Sequence, residues 1–141
     1  MALKTISQAA LDTAIVASEL FWKSSKREGY RAPLSGYDLS TLAIPGYSCL
    51  VEGRFTKTRF NALNLTGCDF SNSNCQYTTF NNCNLTSVDF SGSNLYGANF
   101  TNANLTNADL SGAFCQNANF TGATLTGVRW DNCDKSGVTG A

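Results

Sequence analysis

Cysteine is the most reactive side chain in this sequence of 141 residues, and six are present: Cys49, Cys68, Cys75, Cys83, Cys115 and Cys133. Zinc sites join ligands two to four residues apart, and no two of these cysteines keep that spacing, so no metal is expected. Histidine is absent, which removes the commonest acid–base group and the commonest metal ligand. There is no nucleophile motif and no glycine-rich phosphate loop. These observations point away from an enzyme, a cofactor and a small-molecule substrate. Ten basic residues balance ten acidic ones, so no direct nucleic-acid binding is expected either. The chemistry left is recognition, and the residues that could carry it are Tyr77, Tyr96, Phe114, Gln76 and Gln116.

What must position them is a repeat. Phe60, Phe80, Phe100 and Phe120 recur every twenty residues, and Leu65, Leu85, Leu105 and Leu125 follow five residues later. From Leu50 to Trp130 every fifth residue is apolar. From Cys68 onward a small or modest side chain stands two residues before each such centre, as at Cys68, Ser73, Thr78, Cys83, Val88, Ala98 and Ala108. A chain that returns to the same residue type after twenty positions with a beat of five is a coil with four sides, each turn lying on the last. Both sets point inward, and large centres with small partners fill the tube without a second layer. Two residues after the centres come Gly67, Gly92, Gly97 and Gly112, or Asn72, Asn82, Asn102 and Asn107, which tolerate the left-handed backbone of a tight corner.

Ala103-Asn104-Leu105-Thr106-Asn107 and Ala108-Asp109-Leu110-Ser111-Gly112 resemble the A-(N/D)-L-x-x unit of the pentapeptide-repeat family. The resemblance implies an all-β solenoid, a right-handed quadrilateral β-helix with one pentapeptide per side. At the spacing of paired strands, the repeat predicts about four coils and a rod about 20 Å long. Its lining is Phe60, Phe80, Phe100, Phe120, Leu65, Leu85, Leu105 and Leu125, closed by Trp130 as the last layer. The register places Cys68, Cys75, Cys83, Cys115 and Cys133 inward on differing columns. Cys75 and Cys115 share a side but lie two coils, about 9.6 Å, apart, too far for a disulfide. Free buried thiols and synthesis in a reducing cytosol are therefore expected.

Residues 1–49 follow other rules. Thr5 to about Lys26 reads as an amphipathic helix, with Thr5 and Gln8 as a capping box and Leu3, Ile6, Ala10, Ala14, Ala17 and Phe21 on one face. Asp12 and Glu19 argue against a membrane span, and the start lacks the charged region of a secretion signal. Lys23, Lys26, Arg27 and Arg31 make a basic patch at the helix end. Leu34, Leu39 and Ile44 keep the beat of five out of phase with Leu50, which reads either as a degenerate first coil or as a wrapping arm. The expected organisation is a helix and capping or docking arm over 1–49, the repeat over 50–133, and a weakly structured polar tail over 134–141. An open coil needs its end covered, and so long a segment exceeds a lid. Leu3, Ile6, Phe21, Trp22 and the four basic residues are thus expected to dock.

The outward surface of the repeat is elsewhere almost all Ser, Thr, Asn, Asp and Gly, so the side bearing Tyr77, Tyr96 and Phe114 stands apart as a protein-binding patch. Another side carries Asp69, Asp89 and Asp109 in a column ending at Arg129. These patterns suggest a non-enzymatic structural or adaptor protein with a protein partner or sister subunit. An accessory (cement or decoration) protein of a viral capsid, carried in a virion, and a bacterial regulatory adaptor are two concrete forms. The resemblance also implies an alternative, a DNA-mimicking inhibitor or protector of a type II topoisomerase (gyrase). Mimicry of that kind calls for a longer and strongly acidic rod, whereas the stretch from Leu50 to Trp130 carries no net charge.

Overall fold

The computed structural model describes residues 2–23, 33–46, 48 and 50–141. Helix α1, Gln8–Lys23, is followed by a coil whose sides are joined by parallel bridges between successive turns. One column, Pro33, Arg54, Asn74, Asn94, Phe114 and Asp134, passes through six stacked layers. Each side uses the same hydrogen bonds. Phe60 N donates to Thr79 O at 2.9 Å, Ala62 N to Asn81 O at 2.8 Å, and Asn84 N back to Leu63 O at 2.9 Å. The backbone is thereby paired along the axis, as a parallel ladder requires.

Corners fall every five residues, two after each centre, and all have positive φ between Glu52 (52°) and Gly137 (71°). Asn and Gly fill most of them, but Glu52, Lys57, Ala62, Tyr77 and Ser87 adopt the same conformation. A second device fixes the corner: the Asn or Asp before the centre accepts from the backbone N–H two residues on. Asn84 Oδ1 takes Thr86 N at 3.1 Å and the Thr86 hydroxyl at 2.7 Å, and Asn104 does the same for Thr106 at 3.0 and 2.6 Å. These are Asx turns, which Asn and Asp make at little cost.

Inside the tube Phe60, Phe80, Phe100 and Phe120 stack almost parallel, with centroids 5.1, 5.1 and 4.8 Å apart. Phe70 and Phe90 form a second stack that meets the first edge to face, Phe70 to Phe80 at 5.9 Å and 85°. Leu65, Leu85 and Leu105 are fully buried. Inward hydroxyls are paired with the backbone: Thr78 Oγ1 donates to Phe55 O at 2.6 Å and Ser73 Oγ to Leu50 O at 2.9 Å, as burial of a polar group demands. Gly53 occupies an inward position against the Phe55 ring, where an added Cβ would lie 2.3 Å from a ring carbon.

The helix register and the C-terminal turn depart from expectation, while residues 34–44 take the degenerate-coil alternative. Leu34, Leu39 and Ile44 are buried, and Leu34 N donates to Arg54 O at 2.9 Å, so they form a first coil lengthened by one residue before Leu50. Above it Lys4 pairs with Tyr37, Lys4 N donating to Gly36 O and Asp38 N to Lys4 O at 2.8 and 2.9 Å. The helix begins at Gln8, three residues later than expected. Ser7, not Thr5, caps it, its hydroxyl accepting from Ala10 N at 3.2 Å. Gln8 instead spends its side chain on the coil, Nε2 donating to Ala43 O at 2.7 Å and Oε1 accepting from Ala43 N at 2.8 Å. The face that closes the tube is Leu11, Ala14 and Ile15, while Ala10 is exposed. The expected stripe was out of phase because it began from Leu3 and Ile6, which precede the helix.

Residues 134–141 are no loose tail. Asp134 and Thr139 continue the columns of Phe114 and Asn119, and Phe120 N donates to Thr139 O at 2.8 Å. Lys135 holds the apolar centre's place, but the corner chemistry persists: Asp134 Oδ1 accepts from Ser136 N at 3.0 Å, and Gly137 has φ 71°. Trp130 and Leu125 are consequently near an open end and only partly buried. Phe120 meets the Trp130 ring edge-on at 5.4 Å, and Lys135 Nζ stands 5.0 Å from its centroid.

Candidate partner-binding face

One side of the coil runs from the Asn74 column, through Cys75, Leu95 and Cys115, to the corners at Tyr77, Gly97 and Asn117. Asn74 and Asn94 accept from the backbone N–H of Gln76 and Tyr96 at 3.2 and 3.1 Å, which builds two regular corners. Phe114 continues that column at a position filled most often by Asn or Asp, so this turn, like those at Arg54, Thr79 and Thr124, lacks the Asx oxygen. Gln116 turns instead to the next layer, Nε2 donating to Asp134 Oδ2 at 2.7 Å. At the opposite edge Tyr77 occupies a left-handed corner at φ 56°, a conformation disfavoured for an aromatic residue. Its ring lies over Gly97, where an added Cβ would sit 2.8 Å from two ring carbons, and meets Tyr96 edge-on at 5.5 Å.

The five predicted residues are thus on one side, with Tyr77 and Phe114 51% and 52% exposed and Tyr96 partly buried between them. Val16 on α1 is the other large hydrophobic residue exposed among those described. Of the predicted docking arm, Leu3 and Ile6 are partly buried, and Ile6 packs against the core. Phe21, Trp22 and Lys23 belong to the last turn of α1. Lys26, Arg27 and Arg31 lie outside the described residues.

The acidic column has structural work. Asp69, Asp89 and Asp109 accept from the backbone N–H of Ser71, Ser91 and Ser111 at 2.9, 2.8 and 2.9 Å, and Arg129 pairs with Asp109 at 2.9 Å. Burial raises the thiol pKa of Cys75, and pushes Cys83 up to about 11. Sequence reasoning missed one neighbour pair: Cys133 Sγ lies 3.2 Å from Cys115 Sγ. Their spacing of eighteen, two short of a full coil, was the available signal. It sets an inward position before one centre beside the centre of the turn above, so columns that differ still meet. Among the described residues no group of three or more metal-ligating side chains is placed to hold an ion.

Eight copies of the pentapeptide repeat match the family model, over residues 64–102 and 98–134. The chain belongs to the pentapeptide-repeat family. Its coil is accordingly the right-handed quadrilateral β-helix of that family. It is similar to a pentapeptide repeat protein from the cyanobacterium Cyanothece 51142, with 35% identity and a TM-score of 0.59 over 60% of this chain and 58% of that one. A pentapeptide repeat protein from the Arabidopsis thaliana thylakoid lumen is similar at 26% identity and a TM-score of 0.54, over 64% of this chain and 66% of that one. The likeness therefore spans less than two thirds of the length of either structure. No curated protein matches the sequence. The capsid-accessory expectation finds no support in these likenesses.

Proposed function

We propose that this pentapeptide-repeat protein is a non-enzymatic adaptor, its stiff coil presenting the side with Gln76, Tyr77, Tyr96, Phe114 and Gln116 to a protein partner. One observation carries the reading: on this side two aromatic residues displace the residues that make corners. Tyr77 takes a left-handed position filled elsewhere mostly by Asn or Gly, and Phe114 takes an Asx position. Both are half exposed, so neither departure is compensated by burial. Local rules are broken without a folding gain where a surface is used. The glutamines add hydrogen-bonding groups beside the rings, the composition of a polar-rimmed binding patch.

The Asp69, Asp89 and Asp109 carboxylates are already engaged at corners. That engagement favours the adaptor over the topoisomerase-protecting alternative. The N-terminal segment acts first as a cap through Leu11 and Ile15, and any further docking falls to the exposed side of α1 around Val16. Synthesis in a reducing cytosol fits the buried sulfurs of Cys75 and Cys83.

The test is site-specific photo-cross-linking in the source cells, with the reactive residue at 77 or 114 and, as control, at exposed Ser87 on the opposite side. A common adduct from 77 and 114 with none from 87 supports the face, and an adduct with a second copy of this chain makes the partner a sister subunit. Equal labelling from all three positions, or labelling from 87 alone, removes the proposal.

A further inference from the structure

Cys115 and Cys133 stand apart from the other described sulfurs. Cys75 and Cys83 lie deep in the coil, and Cys83 Sγ donates to Phe60 O at 3.0 Å. Cys115 is also buried, at the centre of its side, but Cys133 is partly exposed near the open C-terminal end. Its thiol approaches Cys115 at 3.2 Å, sulfur to sulfur. Around them the terminal segment is bonded to the turn above in the same pattern as the other turns, so the two sulfurs are held in register. Cys115 N donates to Asp134 O at 2.9 Å, Asp134 N to Ala113 O at 3.0 Å, and Asn117 N to Ser136 O at 2.9 Å. Residues 131–141 are exposed apart from partly buried Cys133 and Val138, so this segment opens more readily than the fully buried middle of the coil.

We propose that Cys115 and Cys133 form a redox-modification site, at which a small peroxide converts the two thiols to a disulfide that latches the terminal coil to the turn above. Cys133, the reachable sulfur, attacks one peroxide oxygen. The O–O bond breaks, one water leaves, and Cys133 becomes a sulfenic acid. The Cys115 sulfur then attacks the Cys133 sulfur, the S–O bond breaks, the Cys115 proton leaves with the hydroxyl as a second water, and the S–S bond forms. Two thiols lose two electrons and the peroxide is reduced to water. The sulfurs must close a gap of about 1 Å to bond, and Cys133, partly exposed, is packed less tightly than Cys115.

Burial raises both thiols, that of Cys133 being relieved in part by the contact with Cys115 and by Lys135, while Asp134 opposes. Reaction is therefore slow and confined to sustained oxidation, which suits a latch better than a rapid sensor. The link would hold Asp134 to Gly140 against the coil and keep Trp130 and Val138 covered.

The experiment treats the full-length chain with hydrogen peroxide, then blocks remaining thiols in denaturant and measures intact mass and peptide linkage. Four of six thiols are expected to remain blockable, with a mass loss of about 2 Da before blocking, one linked peptide pair joining 115 to 133, and reversal by a dithiol reductant. Amide exchange over 134–140 should slow by about tenfold on oxidation and be unaffected by peroxide in Cys133→Ser, a change at a partly exposed position that leaves the core intact. A sulfinic acid at Cys133 without linkage, a bond to any other cysteine, or linkage with unchanged exchange would each overturn the proposal.

Discussion

The middle of the coil and its C-terminal turn use the same backbone and differ in what fills them. Between Phe55 and Phe120 the tube is lined by rings in contact above, below and across, all fully buried. From Thr121 onward the lining thins to Leu125, Val128, Trp130 and Val138, all partly exposed, and Lys135 stands where a leucine or phenylalanine would be. Yet the bridges and corners run on unbroken to Thr139. Corner chemistry is enough to set the path of the chain once a finished turn templates it, and the apolar ladder supplies most of the stability.

The largest effect should come from opening the middle. Phe100→Ala is expected to cost about 3 to 5 kcal/mol, because the cavity lies between two parallel rings, Phe80 and Phe120, whose backbones are locked by the ladder. Trp130→Ala, a larger truncation, should cost about 1 to 2 kcal/mol, since its ring is partly in water already. Equal losses by chemical denaturation would mean that the end is as tightly integrated as the middle. Gly53→Ala comes next, at about 1 to 3 kcal/mol, because the Phe55 ring fills the space of a methyl group. A crystal structure of that variant with the ring unmoved would contradict this account.

How far these two regions were readable beforehand follows from their signals. The phenylalanine and leucine beat announced the coil and its lining, since twenty-residue periodicity has few other solutions. The same beat is broken at both ends. Residues 134–141 have the look of a tail because Lys135 breaks the apolar series, although Asp134, Ser136 and Gly137 keep the corner pattern. At the start, Leu34, Leu39 and Ile44 carried the beat one residue out of phase, and α1 was assigned a stripe that began outside the helix. Tyr77, Tyr96 and Phe114 were placed on one side by counting alone. That two of them sit in backbone positions meant for other residues required φ angles and hydrogen bonds, which no spacing encodes.

That backbone misfit gives a smaller effect of opposite sign. Tyr77→Asn should raise stability by about 1 kcal/mol, as a bulky residue leaves a left-handed corner and the repeat's own residue type replaces it. Thermal denaturation would show it as an upward shift of the midpoint together with weaker cross-linking from position 114. A lower midpoint would mean that the Tyr77 contacts with Tyr96 and Gly97 outweigh the conformational penalty, and that the aromatic pair serves the fold.

The smallest effect separates the capped N-terminal end from the open C-terminal one. At the cap, Asp38 accepts from the Ser40 hydroxyl at 2.6 Å and its backbone N–H at 3.0 Å, and pairs with Arg59 on the next turn at 3.1 Å. The Ser40 hydrogen bonds, side chain first, hold the carboxyl below its ordinary value, with Arg59 adding to them against the opposing effect of burial. A depressed carboxylate stabilises the fold above its unfolded pKa, and that contribution is lost as the pH falls through the lower folded value. Amide exchange at Asp38 and Lys4 should therefore quicken as acid protonates Asp38, before the Phe-lined middle responds. In Asp38→Asn the side-chain oxygen still serves Ser40 but carries no charge, so the corner persists and this acid step disappears. Persistence of the step in that variant would move its origin to another carboxylate and leave the Asp38–Arg59 pair without a part in holding the first coil to the second.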